Sequence, residues 1–126
     1  MISIVRLVKS FVYASRGLGR IIKEEQNFKI ELLVAVVVII LAWWAKFNYI
    51  EWAILAIVIG LVLIMEVINS VIELISDVLK PKLDHYVKEI KDMVATAVLL
   101  ASLLAVIVGL ILFYNHWQPL ISGLAS

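Results

Sequence analysis

The sequence has no cysteine, which excludes disulfide scaffolds, thiol nucleophiles and cysteine-ligated zinc. Two prolines and five glycines in 126 residues exclude collagen-like and Pro/Gly-rich low-complexity chains. Charged residues make up only 17% of the chain, too few for a disordered segment or a coiled coil. The net charge of +1 supplies no bulk basic field for nucleic acid. No GxxxxGK[ST] phosphate loop occurs. Gly17-Leu18-Gly19 lacks a third glycine and a preceding strand, and reads as a turn ending a helix. His85 and His116 stand alone without metal-ligand spacing.

Apolar residues are what the chain has in excess. They form 64% of it, against roughly 45–50% in soluble domains. A chain this short cannot bury that much apolar surface in its own core. The few charges are also unevenly placed. Arg6, Lys9, Arg16, Arg20, Lys23 and Lys29 precede residue 32, Lys46 is isolated, and Lys80, Lys82, Lys88 and Lys91 form a second cluster. Between them lie the apolar blocks Leu32–Ala45, Trp52–Met65 and Met93–Phe113. A membrane-spanning helix needs about 20 mostly apolar residues. The third block meets this outright. The first meets it if Lys46 snorkels and Phe47–Ile50 extends it. The second meets it only by taking Glu66, Asn69 and Glu73 toward the membrane.

The expected fold is an all-α integral membrane protein, one domain over residues 1–126, with transmembrane helices at about 30–50, 52–76 and 93–114. Trp43, Trp44, Tyr49, Trp52, Tyr114 and Trp117 fall near the proposed ends, as interfacial aromatics do. The distribution of Lys and Arg places the N-terminal segment and the 77–92 loop in the cytoplasm, and the C-terminus outside. Pro81 marks a break after the second span. At about 100° per residue, Arg6, Lys9, Tyr13, Arg16 and Arg20 share one face of a segment at about 3–23, and Ile4, Leu7, Val8, Phe11 and Leu18 the other. That pattern predicts an amphipathic helix lying on the cytoplasmic leaflet.

The second span carries the unusual chemistry. Spacings of 3, 4 and 4 align Glu66, Asn69, Glu73 and Asp77 on one stripe, with Ser70 beside it. A charge within the bilayer costs roughly 2.5–3.5 kcal/mol on insertion scales. Such a stripe must therefore face protein, water or cations. Glu24, Glu25, Glu31, Lys91 and Asp92 can meet it at the cytoplasmic rim. Carboxylates from two helices suit Mg²⁺, which often carries nucleotide phosphates. A nearby Lys neutralises phosphate charge, and a buried Glu can serve as general base. These residues point to phosphoryl transfer. Two alternatives stay open: a small oligomeric ion- or proton-conducting protein using Glu66 and Glu73, and a scaffold whose polar stripe seals helix contacts.

The run Glu66-Val-Ile-Asn69-Ser70-Val-Ile-Glu73-Leu-Ile-Ser-Asp77 resembles the signature of the prokaryotic diacylglycerol kinase family, which includes the undecaprenol kinases. Arg16-Gly17-Leu18, Glu25-Gln26-Asn27-Phe28 and Lys91-Asp92 extend the resemblance over about Arg6 to Phe113. It implies a bacterial inner-membrane lipid kinase, a homotrimer with active sites at subunit boundaries, that uses ATP, Mg²⁺ and a membrane lipid alcohol and no nucleic acid. By the same resemblance, Glu66 is the catalytic base and Asn69 positions the reacting groups. Glu25 and Glu73 bind Mg²⁺. Asp77, Lys91, Asp92 and Glu31 contact the nucleotide, and Glu66 and Ser70 the lipid. Arg6, Lys9, Tyr13 and Arg16 match surface-helix positions that support nucleotide or headgroup contacts. Val71, Ser76 and Ile30 depart from the family pattern, and none of them is a proposed base or metal ligand. The segment from Glu25 to Phe28 is closer to the undecaprenol kinase branch; the apolar faces do not specify the lipid.

Overall fold

A computed structural model describes the backbone of residues 2–125, and the side chains of residues 2–79 and 85–117. Helix α1 spans Ile4–Glu24, α2 spans Gln26–Trp44, and α3 spans Tyr49–Ala125. Among the described residues three stretches are long and apolar enough to cross a membrane: Gln26–Trp44, Tyr49–Leu79 and His85–Trp117. The all-helical, three-span expectation therefore holds, with shifted ends. The third stretch begins earlier than residue 93, because helical backbone accommodates the polar residues 85–92.

Helical geometry continues through all 77 residues of α3. A straight helix of that length would be roughly 115 Å long and would separate Glu51 from His116 by about 97 Å. Instead, His116 Nε2 lies 2.7 Å from Glu51 Oε2. Lys91 Nζ lies 3.6 Å from Asp77 Oδ1. The chain therefore folds back between Asp77 and Lys91, and α3 is a hairpin with an ascending limb, Tyr49–Leu79, and a descending limb, His85–Trp117. The break expected at Pro81 falls within this reversal, though helical assignment continues across it; the Pro81 side chain lies outside the described residues.

The bundle is thin, and its buried positions follow a heptad-like register. On α2 they are Phe28, Ala35 and Ala42. On the ascending limb they are Leu55, Val58, Val62, Glu66 and Ser76, and on the descending limb Val87, Ala101 and Leu112. Alanine at three of these sites lets helix backbones approach closely, which drives association in lipid, where burial of apolar surface gives little. Most other apolar side chains, such as Leu33, Ile40, Ile57, Leu104 and Leu110, remain exposed on the isolated chain. In a bilayer they meet acyl chains at no cost.

Phe47–Ile50 does not extend α2. The helix ends at Trp44 because Lys46 adopts a left-handed conformation, φ 62°. The Phe47 N–H donates to Ala42 O at 3.2 Å, and the Lys46 N–H to Trp43 O at 3.1 Å. These two bonds make a Schellman closure. Its expected apolar contact is present, since Phe47 and Ala42 share a buried cluster with Leu55 and Leu112. Asn48 then caps α3 reciprocally with Glu51: the Asn48 N–H donates to Glu51 Oε1 at 3.1 Å, and the Glu51 N–H to Asn48 Oδ1 at 2.9 Å. The second Glu51 oxygen meets His116, whose ring stacks on Phe47 with centroids 4.9 Å apart. Phe113 also lies 4.9 Å from Phe47. The aromatics expected at an interface thus divide: Trp52 packs inward beside Phe47 and Phe113, and Trp43, Trp44, Tyr49, Tyr114 and Trp117 stay exposed.

Helix α1 runs through Gly17 and Gly19 without the turn expected there. Glycine weakens a helix but does not end it when the flanking residues propagate it. The true break is one residue long, at Glu25, with φ −98° and ψ 108°.

Lysine in the left-handed region carries a cost of about 1–2 kcal/mol that glycine does not. Lys46→Gly is therefore expected to raise stability by about 0.5–1 kcal/mol, and Lys46→Ala to give no gain. Unfolding in detergent micelles checks this; equal behaviour of the two variants would contradict the strained closure.

Candidate functional site

The Glu25 junction sets the geometry of the site. Its extended backbone ends α1, with the Glu25 N–H donating to Ile21 O at 2.9 Å, and it begins α2, with Glu25 O accepting from Lys29 N at 3.2 Å. Its side chain makes no capping hydrogen bond. A carboxylate at a helix N-terminus is favoured by the helix dipole. Here it turns toward a cleft between α1 and the ascending limb of α3. That cleft holds about 390 Å³ and is lined by Gly17, Arg20, Ile21 and Glu24 of α1, by Glu25, and by Ser70, Val71, Glu73, Leu74 and Asp77 of α3.

The acidic stripe approaches this cleft in depth order. Asp77 and Glu73 are exposed, Asn69 is half-buried, and Glu66 is 6% exposed on the inward seam. Asn69 Nδ2 donates to Glu73 Oε1 at 3.4 Å, which steadies one carboxylate oxygen and leaves the other unengaged by that bond. Ser70 Oγ donates to the main-chain oxygen of Glu66 at 3.1 Å. Glu25, Glu31 and Glu73 stand close enough for their charges to act on Glu66. Asp77 pairs across the hairpin with Lys91, so these two of the expected nucleotide contacts sit beside the chain reversal.

The structure thus gathers Glu25, Glu73, Asp77 and Ser70 in one cleft, with Glu66 and Glu31 behind it and Lys91 at its edge. It does not bring every expected residue there. Arg16 lines a shallow apolar depression with Val8, Phe11, Val12 and Ser15 on the outer part of α1. Arg6 and Tyr13 do not line the cleft either, and the whole of α1 lacks buried residues. Asp92 is exposed, and its main-chain oxygen accepts from Thr96 Oγ1 at 2.9 Å. Val71, one of the departures in the signature, is exposed and lines the cleft. Ser76, the other departure in the signature, is buried at 2% exposure and occupies the inward seam.

Among the described residues, no three acids or histidines converge closely enough to enclose a metal. Mg²⁺ does not require such a cage: it keeps several waters and binds through one or two carboxylates plus phosphates. Glu25 and Glu73, hard oxygen donors on opposite walls of one cleft, fit that requirement. Glu24, expected at the cytoplasmic rim, lines the cleft, whereas Gly17 and Arg20 were not expected there. The spacing of 3 and 4 in Gly17, Arg20 and Glu24 was a readable signal for the other two, because it places all three on one face of α1 immediately before Glu25.

The sequence model of the prokaryotic diacylglycerol kinase family matches residues 12–113. Undecaprenol kinase of Bacillus subtilis is 33% identical over 108 residues, covering 86% of this chain and 88% of that protein. Diacylglycerol kinase of Escherichia coli is 30% identical over 112 residues, covering 89% and 92%. Diacylglycerol kinase of Synechocystis sp. is 38% identical over 104 residues, covering 82% of this chain and 59% of its own length.

Proposed function

Since this chain belongs to the prokaryotic diacylglycerol kinase family and is a lipid kinase of the diacylglycerol or undecaprenol kinase type, we propose that it transfers the γ-phosphate of ATP to the hydroxyl of a membrane lipid alcohol, with Mg²⁺, at the cytoplasmic face of a bacterial membrane. The observation that carries the reading is the burial of Glu66 one helical turn from Ser70, which lines the cleft that holds Glu25 and Glu73. The ascending limb has 31 residues, roughly 46 Å, and exceeds the hydrocarbon thickness of about 30 Å. About 20 residues counted from Trp52 end near Val71. Glu66 then lies in the last turns of the hydrocarbon, and Glu73 and Asp77 stand in the headgroup region. A lipid hydroxyl reaches the first from the side, and ATP reaches the others from the cytoplasm.

In this reading the Glu66 carboxylate accepts the proton of the lipid hydroxyl. The lipid oxygen forms a bond to the γ-phosphorus as the bond from that phosphorus to the β-phosphate oxygen breaks, and ADP leaves with the electron pair. Bound Mg²⁺ would supply charge neutralisation at the phosphates. Glu25 and Glu73 would hold it, with Asn69 keeping Glu73 in place, and Lys91 would turn from Asp77 to the phosphates. Arg6, Tyr13, Arg16 and Asp92 lie away from the cleft of their own chain. We read them as serving a homotrimer, in which neighbouring copies also cover the exposed carboxylates. The apolar face of α1, with Ile4, Leu7, Val8 and Phe11 exposed, suits the membrane surface. Basic residues of the N-terminal segment and of the 80–91 stretch orient that end to the cytoplasm. Undecaprenol stands first as acceptor, on the likeness of the Glu25–Phe28 segment, and diacylglycerol second.

Glu66→Gln is expected to lower turnover by 10²-fold or more while a non-hydrolysable ATP analogue still binds. Near-normal turnover in that variant would remove Glu66 as the base. Glu25→Ala and Glu73→Ala should each shift the Mg²⁺ activation curve to higher concentration; an unchanged curve would contradict the metal role. Labelled ATP offered with a panel of lipid alcohols to the purified protein identifies the acceptor, and failure to label any of them would overturn the reading.

A further inference from the structure

The cleft holds one cation that the reaction scheme leaves unused. Arg20 lines it together with Glu24, Glu25, Glu73 and Asp77, and is the single cation among the described lining residues. Four carboxylates repel a polyphosphate, and a metal held by two of them compensates only part of that charge. Donors aimed at the remaining phosphate oxygens are needed.

Arg20 has the donors and the placement. Its Nε lies 3.1 Å from Glu24 Oε2, and no other side-chain hydrogen bond engages the guanidinium among the described residues. One of five N–H groups is therefore used, and the terminal fork is left for a ligand. The pair is exposed at 63% and 61%, at i,i+4 spacing, so it orients the side chain without holding it strongly. Gly17, one turn earlier on the same face, keeps the neighbouring space open: a Cβ built there would meet nothing within 4 Å. A planar fork beside open volume matches the geometry of a phosphate group.

We propose that Arg20 is a phosphate-binding residue of the cleft, and that Glu24 orients its guanidinium while the site is empty. The assignment rests on the lipid-kinase reading for its biological ligand. Either the nucleotide or the phosphorylated lipid can supply the phosphate.

The test has two arms on purified protein in detergent micelles at fixed ionic strength. In the first, inorganic tripolyphosphate is titrated against the wild type and against Arg20→Ala, Arg20→Lys and Glu24→Gln. Arg20→Ala should weaken binding about tenfold, Arg20→Lys by less, and Glu24→Gln should bind at least as tightly as the wild type. The lysine variant keeps the charge, so loss in the alanine variant with partial retention in lysine reports the phosphate contact and not misfolding. Equal binding by wild type and Arg20→Ala, or no binding by either, overturns the proposal. The second arm separates the sources. A raised KM for MgATP in Arg20→Ala, with kcat and the KM for lipid held, assigns the nucleotide phosphate. Weakened inhibition by the phosphorylated lipid assigns the product. No change in either overturns the proposal. Wild-type protein that shows the tripolyphosphate discrimination but phosphorylates no lipid alcohol would overturn the lipid-kinase reading and leave the phosphate subsite standing.

Discussion

A carboxylate on the inward seam of a membrane-spanning helix constrains everything around it. Lipid cannot solvate Glu66, and roughly 2.5–3.5 kcal/mol is at stake on insertion scales. The neighbouring helices must therefore shield it. The alanines at positions 35, 42 and 101 let those helices close in, and Leu55, Val58 and Val62 continue the same seam away from the acid. The seam turns polar at Glu66 and again at Ser76, and Ser70, which bonds the main-chain oxygen of Glu66, lines the α1 cleft. Burial and access to a polar cleft thus meet at one residue, an arrangement that exchanges stability for chemistry.

The two ends of the bundle do different physical jobs. At the Lys46 end, backbone and side chains close on themselves through the Schellman bonds, the Asn48–Glu51 cap, the Glu51–His116 contact and the Phe47 ring cluster. At the other end, charged groups face a cleft and each other loosely: Lys91 and Asp77 stand 3.6 Å apart and partly in water. A tightly fastened end and a loosely paired one suit the proposed site, which would admit two substrates of opposite polarity.

Much of this was legible in the sequence because the bilayer simplifies the physics. Backbone polar groups must be satisfied internally, so long apolar runs become helices, and the three spans follow. Glu66, Asn69, Glu73 and Asp77 were legible because helical spacing aligned them and their cost drew notice. A turn at 46–51 was legible from the charge pattern, but its closure was not, because nothing in an isolated lysine announces a left-handed backbone. The fastening of His116 was hidden as well, because its partner, Glu51, lies 65 positions away and is reached only once the hairpin closes. The place of Arg20 was hidden for another reason. On a basic amphipathic helix every cation looks alike, and only the position of α1 against α3 separates Arg20, which lines the cleft, from Arg6 and Arg16, which do not.

The one-residue break at Glu25 makes α1 a lever with its fulcrum at a carboxylate. The arm has 21 residues, roughly 31 Å. A tilt of about 10° at the joint swings the far end by roughly 5 Å while the fulcrum barely moves. An arm resting on the bilayer can thus ride changes in headgroup packing or thickness while Glu25 keeps its station opposite Glu73. What such a swing alters is the width of the cleft mouth, where Gly17 and Arg20 lie a few turns out along the arm.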